Sequence, residues 1–189
     1  MSTRYVPPLV LGHDVVGLPV VDASSGNDVA EVRDVVFDPT RGGLVGFTLT
    51  KRSFWRGRMK QLLPIEGVLS VGTHAVMVED GSALADPADA PAEVRRADPS
   101  ADVLGNLVVT ESGRQLGELV DVVIVGGSAP RVVGYRLSGG LVGDGLVPLH
   151  AHSGLSSSAL VVPDDLEPRV RSDLTGLAAE LADLERDRS

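Results

Sequence analysis

Ten consecutive residues hold the densest chemistry of this chain: Lys51, Arg52, Ser53, Phe54, Trp55, Arg56, Gly57, Arg58, Met59 and Lys60. They carry five of its 17 basic side chains and its single tryptophan. Guanidinium groups reach carboxylate or phosphate in a bidentate fork, and an indole adds contact area and a stacking face. Lys51, Arg52, Phe54, Trp55, Arg56, Arg58 and Lys60 are therefore the expected partner-binding residues. An as yet unidentified protein partner offering an acidic segment is the first ligand this chemistry fits. RNA and an anionic membrane surface rank behind it. A purely structural role competes with binding: a solvated hairpin, its tryptophan folded back on the strands, its basic side chains guarding a sheet edge.

The other candidates are thinner. His150 and His152 stand two apart, on one face of a continuing strand, and could begin a metal site. Zinc takes three or four ligands and no third is evident, so no metal is expected. His13 and Asp14 read as a turn. Asp34 and Asp121, and Glu31 and Glu118, recur at matching places. Paired carboxylates can serve general acid and base catalysis, but an internal repeat explains the match as outward strand residues equally well. Residues 153–158 are serine-rich without a Gly-x-Ser-x-Gly elbow. The glycine-rich residues 139–145 lack a Walker lysine and open no helix. With no cysteine in the chain, disulfides, thiolate zinc sites and cysteine nucleophiles are excluded. The expectation is a protein with no catalytic residues and no cofactor, hence not an enzyme.

The elements that must position these residues follow from composition and pattern. The 189 residues are 43% apolar but only 3% aromatic, so branched aliphatics build the core, and they favour strands. Twenty-two glycines and 12 prolines call for many turns. A net charge of -9 argues against a general nucleic-acid binder. No secretory signal opens the chain, and no stretch approaches the roughly 20 apolar residues of a membrane helix. The expected location of this acidic protein is the cytoplasm.

The chain also repeats itself. Residues 17–22 (GLPVVD) match 105–110 (GNLVVT), each copy followed by a turn glycine, Gly26 and Gly113. Residues 30–37 (AEVRDVVF) match 117–124 (GELVDVVI), and 44–49 (LVGFTL) match 132–137 (VVGYRL). Residues 63–65 (LPI) match 147–149 (VPL), and 75–78 (AVMV) match 159–162 (ALVV). The offset is 88 at Gly46 and Gly134 and 84 at Pro64 and Pro148, so the basic segment is four residues longer than its counterpart. The first copy reads as strands over 15–21, 29–37, 44–51, 59–64 and 75–79. Val45, Phe47 and Leu49 alternate with Gly46, Thr48 and Thr50, which buries one face. The mid-strand Gly46 and Gly134 mark bends or bulges of a small barrel.

The strings GLPVVDASSG, VRDVVFDP, LLPIEGVLSVG and AVMV resemble a PRC-barrel domain, and the second copy resembles it less closely. There Val125 and Gly126 stand in place of the Asp-Pro turn, and His150 in place of Glu66. The resemblance implies an all-β fold of two tandem small PRC-type β-barrels with a C-terminal amphipathic α-helix. The expected boundaries are 9–84 for the first barrel, 85–100 for a Pro/Ala-rich linker, 101–165 for the second barrel and 168–187 for the helix. A single helical turn is expected over 93–97. Leu174, Leu177, Ala178, Leu181 and Leu184 recur at helical spacing, with Ser172 or Asp173 as cap. The family includes the cytoplasmic domain of a photosynthetic reaction-centre subunit and a domain of a ribosome maturation factor. It thereby implies a non-enzymatic protein-protein adaptor or scaffold. A ribosome- or RNA-associated factor and a peripheral subunit of a membrane complex are the alternatives. A homodimer is also expected of a duplicated fold.

Overall fold

The structure is a computed structural model, and it describes residues 7–38, 43–51, 58–90, 104–140, 143–149, 154–155 and 158–187. The chain divides into two compact units. The first holds β1 (Leu9–Leu11), the short helix α1 (Gly12–Val15), β2 (Pro19–Asp22), β3 (Asp28–Asp38), β4 (Gly43–Thr50), β5 (Arg58–Pro64), β6 (Val68–Val71) and β7 (Val76–Val78). The second holds β8 (Leu107–Thr110), β9 (Gln115–Val125), β10 (Arg131–Ser138), β11 (Gly145–Pro148), β12 (Gly154–Leu155), β13 (Ala159–Val162) and helix α2 (Leu174–Asp187). The segment Ile124–Arg131 is counted with the first unit. The fold is thus mostly β, and among the described residues a single helix of substantial length stands at the C-terminal end. Among the described residues no helix is long and apolar enough to cross a membrane.

In the first unit the strands lie in the order β5-β4-β3-β2-β7-β6. The end strands β5 and β6 are joined by the single 3-10 turn Ile65–Gly67. Three residues cannot bridge a flat six-stranded sheet, since neighbouring strands sit about 4.8 Å apart. The sheet must curl until its ends approach, as a barrel requires. Its interior is aliphatic around one phenylalanine: Val20, Val32, Phe47, Leu49, Leu63 and Val76 are buried. Phe47 and Leu49 face inward as the alternation of β4 requires. Gly46 is buried as well, and it lies opposite Pro64 in the β4–β5 register.

The second unit repeats this plan strand for strand, in the order β11-β10-β9-β8-β13-β12. β2 with β7 and β8 with β13 are parallel, and β2–β3, β4–β5, β6–β7, β8–β9, β10–β11 and β12–β13 are antiparallel. Gly134 lies opposite Pro148 as Gly46 lies opposite Pro64. A register shift falls between Val20 and Val21 in β2 and between Val108 and Val109 in β8. Gly26 and Gly113 take positive φ, 73° and 81°, at the turns that follow. In both units the chain leaving the last strand returns to the barrel. Leu62 and Ala85 exchange two backbone hydrogen bonds of 2.9 Å, and Leu146 and Arg171 exchange two of 2.7 and 2.8 Å.

Three local expectations are corrected. The strand expected over 15–21 begins only at Pro19. Val15 ends α1, and Gly17 at φ 87° turns the chain so that its N–H donates to the Val32 carbonyl. The strand Val68–Val71 was not among those expected from the pattern. The helix expected over 168–187 begins at Leu174. Pro168 lies inside a separate 3-10 segment, Asp164–Arg169, and proline disfavours α geometry in the residue before it. Asp173 is the cap that starts α2, accepting the Gly176 N–H on Oδ1 at 2.8 Å. The linker residues 91–100, and with them the turn expected over 93–97, lie outside the described residues.

Candidate interaction surfaces

The basic segment is carried by the β4–β5 hairpin of the first unit. Its ends are fixed where Thr50 stands opposite Arg58. Lys51 and Lys60 are both exposed. Arg58 is the first residue of β5. Arg52, Phe54, Trp55 and Arg56 lie outside the described residues. Of the run, the structure thus describes its flanks: Lys51 and Lys60 face solvent, and Thr50 and Arg58 pair across β4 and β5.

The other sequence candidates do not converge. His150 and His152 lie outside the described residues. His13 and Asp14 are solvated neighbours, with 3.2 Å between Nε2 and Oδ1. Asp34 accepts a 2.8 Å hydrogen bond from the Thr48 hydroxyl on the adjacent strand and pairs with Arg33 at 3.0 Å. Asp121 is buried, and its Oδ1 accepts from the Val122 N–H at 2.8 Å. The matching acids are thus engaged with their own or the adjacent strand. Glu31 and Glu118 stand opposite Pro19 and Leu107 in the two β-ladders. Among the described residues no three metal-ligating side chains cluster.

Each unit also fastens a turn with carboxylate chemistry. Asp22 Oδ1 accepts from the Ser24 hydroxyl and from the backbone N–H groups of Ser24 and Ser25. These bonds, the Ser24 hydroxyl first, hold its carboxyl below the ordinary range. In the second unit Asp164 accepts from the Ser112 hydroxyl at 2.7 Å and N–H at 3.0 Å, and Ser112 likewise lowers its pKa. Beside it Arg114 Nη2 lies 2.5 Å from Glu167 Oε1.

The feature that sequence reasoning missed follows directly. Residues 163–171 form a strap, and its Arg169 and Arg171 grip Glu180 of α2. Arg169 Nη1 donates to Glu180 Oε1 at 2.8 Å, and Arg171 Nη2 donates to Oε2. Glu180 is only 7% exposed. The bond to Glu180 holds the Arg169 guanidinium above its usual pKa. One signal was available: Glu180 follows Leu177 by three positions and precedes Leu184 by four, which puts it on the apolar stripe of the helix.

Tyr135 is the other unexpected polar group. It matches Phe47 in the repeat and is 3% exposed, yet its hydroxyl has no hydrogen-bond partner. Burial pushes its pKa up to about 12. A buried hydroxyl without a partner is destabilising by about 1–3 kcal/mol. Tyr135→Phe is therefore expected to raise stability by about 1 kcal/mol in urea unfolding at neutral pH. The sign with pH is set by the raised pKa. The unfolded chain ionises first, so the wild type should lose stability from about pH 10 upward through 12, and the phenylalanine variant should lose less. A variant less stable than wild type at pH 7 would contradict this account.

Comparison with known families matches residues 8–85 to the PRC-barrel domain. The match opens just before β1 and closes at Ala85, the residue that returns to pair with Leu62. Among curated proteins none matches the chain.

Proposed function

We propose that this chain is a non-enzymatic protein-interaction adaptor, with a PRC-barrel as its binding unit and a diverged second copy as its companion. The second copy is supported by the shared strand order and by the Gly46–Pro64 and Gly134–Pro148 pairs. One observation carries the binding role: Lys51 and Lys60 project into solvent at the ends of the basic, tryptophan-bearing run on the first unit. The equivalent hairpin of the second unit runs through Gly139, Gly140, Gly143 and Asp144 and holds no basic residue. On a chain of net charge -9, such a concentrated basic end is an attraction site for an acidic protein segment.

The test is a crosslinked pull-down with the full chain and with a triple charge reversal, Arg52→Glu, Arg56→Glu and Arg58→Glu. Capture of a defined protein should fall at least about tenfold in the variant, the scale on which desolvated arginine contacts act. Undiminished capture overturns the assignment. Sedimentation with ribosomal particles, or with anionic vesicles, would transfer the site to RNA or to a membrane surface instead. Salt then separates these outcomes, because multiple phosphate contacts weaken steeply as salt rises.

A further inference from the structure

The second unit consists of a seat and an occupant that the chain joins by two residues. The seat is rigidly part of the barrel. Arg171 is tied to Leu146 by both its N–H and its carbonyl, and Val170 packs so closely over Gly145 that a Cβ there would lie 2.5 Å from its Cγ1. Arg171 Nη1 is further held by the Pro168 and Val170 carbonyls, both at 2.9 Å. On β10, Gly134 leaves a gap in the surface: a Cβ at that position would come within 3.2 Å of Leu177 Cδ2. The seat is thus a glycine gap for one apolar side chain, next to two arginines for one carboxylate.

Helix α2 supplies that pair, with Gly176 lying close over the Arg171 side chain, where a Cβ would stand 3.3 Å from the Arg171 Cβ. Leu177 is fully buried and Glu180 nearly so, whereas Leu174, Leu181 and Leu184 are half-buried and Ala178 is exposed. Between the seat and the helix stand only Ser172 and Asp173, both exposed. Asp173 caps α2 and moves with it. Ion groups of this kind define geometry and partner choice more than they add net stability, because desolvation offsets much of their attraction. The contact is therefore specific without being strong.

We infer that this seat is an acceptor for an acidic amphipathic helix, that α2 is its occupant in cis, and that α2 of a second copy occupies it in trans. The trans occupant is this chain's own helix because the seat's gap and charge complement the Leu177–Glu180 spacing. Exchange leaves every seat contact unchanged, so hinge geometry and concentration alone set the balance between closed monomer and exchanged dimer. The inference does not rest on the basic hairpin of the first unit, and its failure would leave that reading untouched.

Two measurements on the full chain test it. The first uses a fluorescent peptide spanning residues 173–187. A chain carrying both Leu177→Ala and Glu180→Ala keeps the seat but weakens the cis occupant. It should bind the peptide at least about tenfold more tightly than wild type, since a cis cover lowers apparent affinity by the fraction of open seats. A peptide with Glu180→Ala should not bind. The second is deletion of Ser172, which shortens the hinge so that α2 no longer reaches back. Light scattering should show a dimer, and Leu177→Ala in the same chain should return it to a monomer. Equal peptide binding by both folded chains, or a Ser172-deleted chain that stays monomeric, overturns the inference. Where circular dichroism shows the double variant unfolded, the hinge deletion alone decides.

Discussion

Alanine at Gly46 is expected to destabilise the first unit by about 3–5 kcal/mol, the sum of overpacking and backbone strain. Two independent effects meet at this residue. Its φ of +155° lies in territory that L side chains rarely adopt. A Cβ there would also stand 2.3 Å from the Leu63 carbonyl oxygen and 3.1 Å from the Pro64 Cα. These are backbone atoms of the neighbouring strand, so no rotamer change relieves the clash. Strand β5 would have to move away, and the inward-facing Phe47–Leu63 pair would open with it. A typical domain is stable by only 5–15 kcal/mol, so a large share of the folded state's margin would be lost. Gly43 is the control on the same strand. Nothing lies within 4 Å of a Cβ there, and alanine should change stability by less than about 0.5 kcal/mol. Gly134→Ala falls between them, because its Cβ would meet the Val147 carbonyl at 2.6 Å without a positive φ. Urea unfolding of the three variants should give that order. A Gly46 variant within 1 kcal/mol of the Gly43 variant would show that β4 and β5 are not held in this register.

The same residues show how much was legible beforehand. Gly46 and Gly134 stood out as mid-strand glycines, and Pro64 and Pro148 as the ends of matched blocks. That they face each other across a hairpin needed the register. The duplicated strand order could be read because period-two alternation and turn glycines recur in both copies. The family match ends at Ala85, whereas the strand order of the first unit recurs in the second. Residue identities drift faster than strand pairing, since many aliphatic sequences satisfy one register. Helix α1 was illegible because four residues, Gly12–Val15, are too short to show a helical period. The strap was illegible for a different reason. Its pairing with Leu146 uses the backbone of Arg171, and backbone pairing leaves no trace in side-chain type. Of the basic run, composition was legible. Glu180 did not stand out, because a lone carboxylate becomes a core residue only when two arginines arrive from elsewhere in the chain.

That carboxylate carries the second large effect. Glu180→Ala is expected to cost about 2–4 kcal/mol and to melt α2. Removing one member of a fully buried ion group costs about 3–5 kcal/mol because the remaining charge is stranded. Here the stranded groups are partly solvated: the Arg169 and Arg171 side chains retain 29% and 34% exposure. Both can therefore turn toward water and recover part of the loss, which lowers the estimate. Arg169 recovers less, since its Nε is already buried without a partner. The helix itself has little to hold it once the clamp is gone. Leu177 is its one fully buried apolar side chain, and an isolated helix of 14 residues is marginal in water. The loss should therefore be local: helical circular dichroism falls while the strand signal remains, and urea unfolding shows α2 leaving before the barrel. Glu180→Gln separates charge from shape. It keeps an acceptor for one arginine but loses the charge that both share, so its effect should lie between wild type and alanine. If alanine at 180 costs less than about 1 kcal/mol, the two arginines hold α2 no more firmly than a surface ion pair, and the helix docks through Leu177 alone.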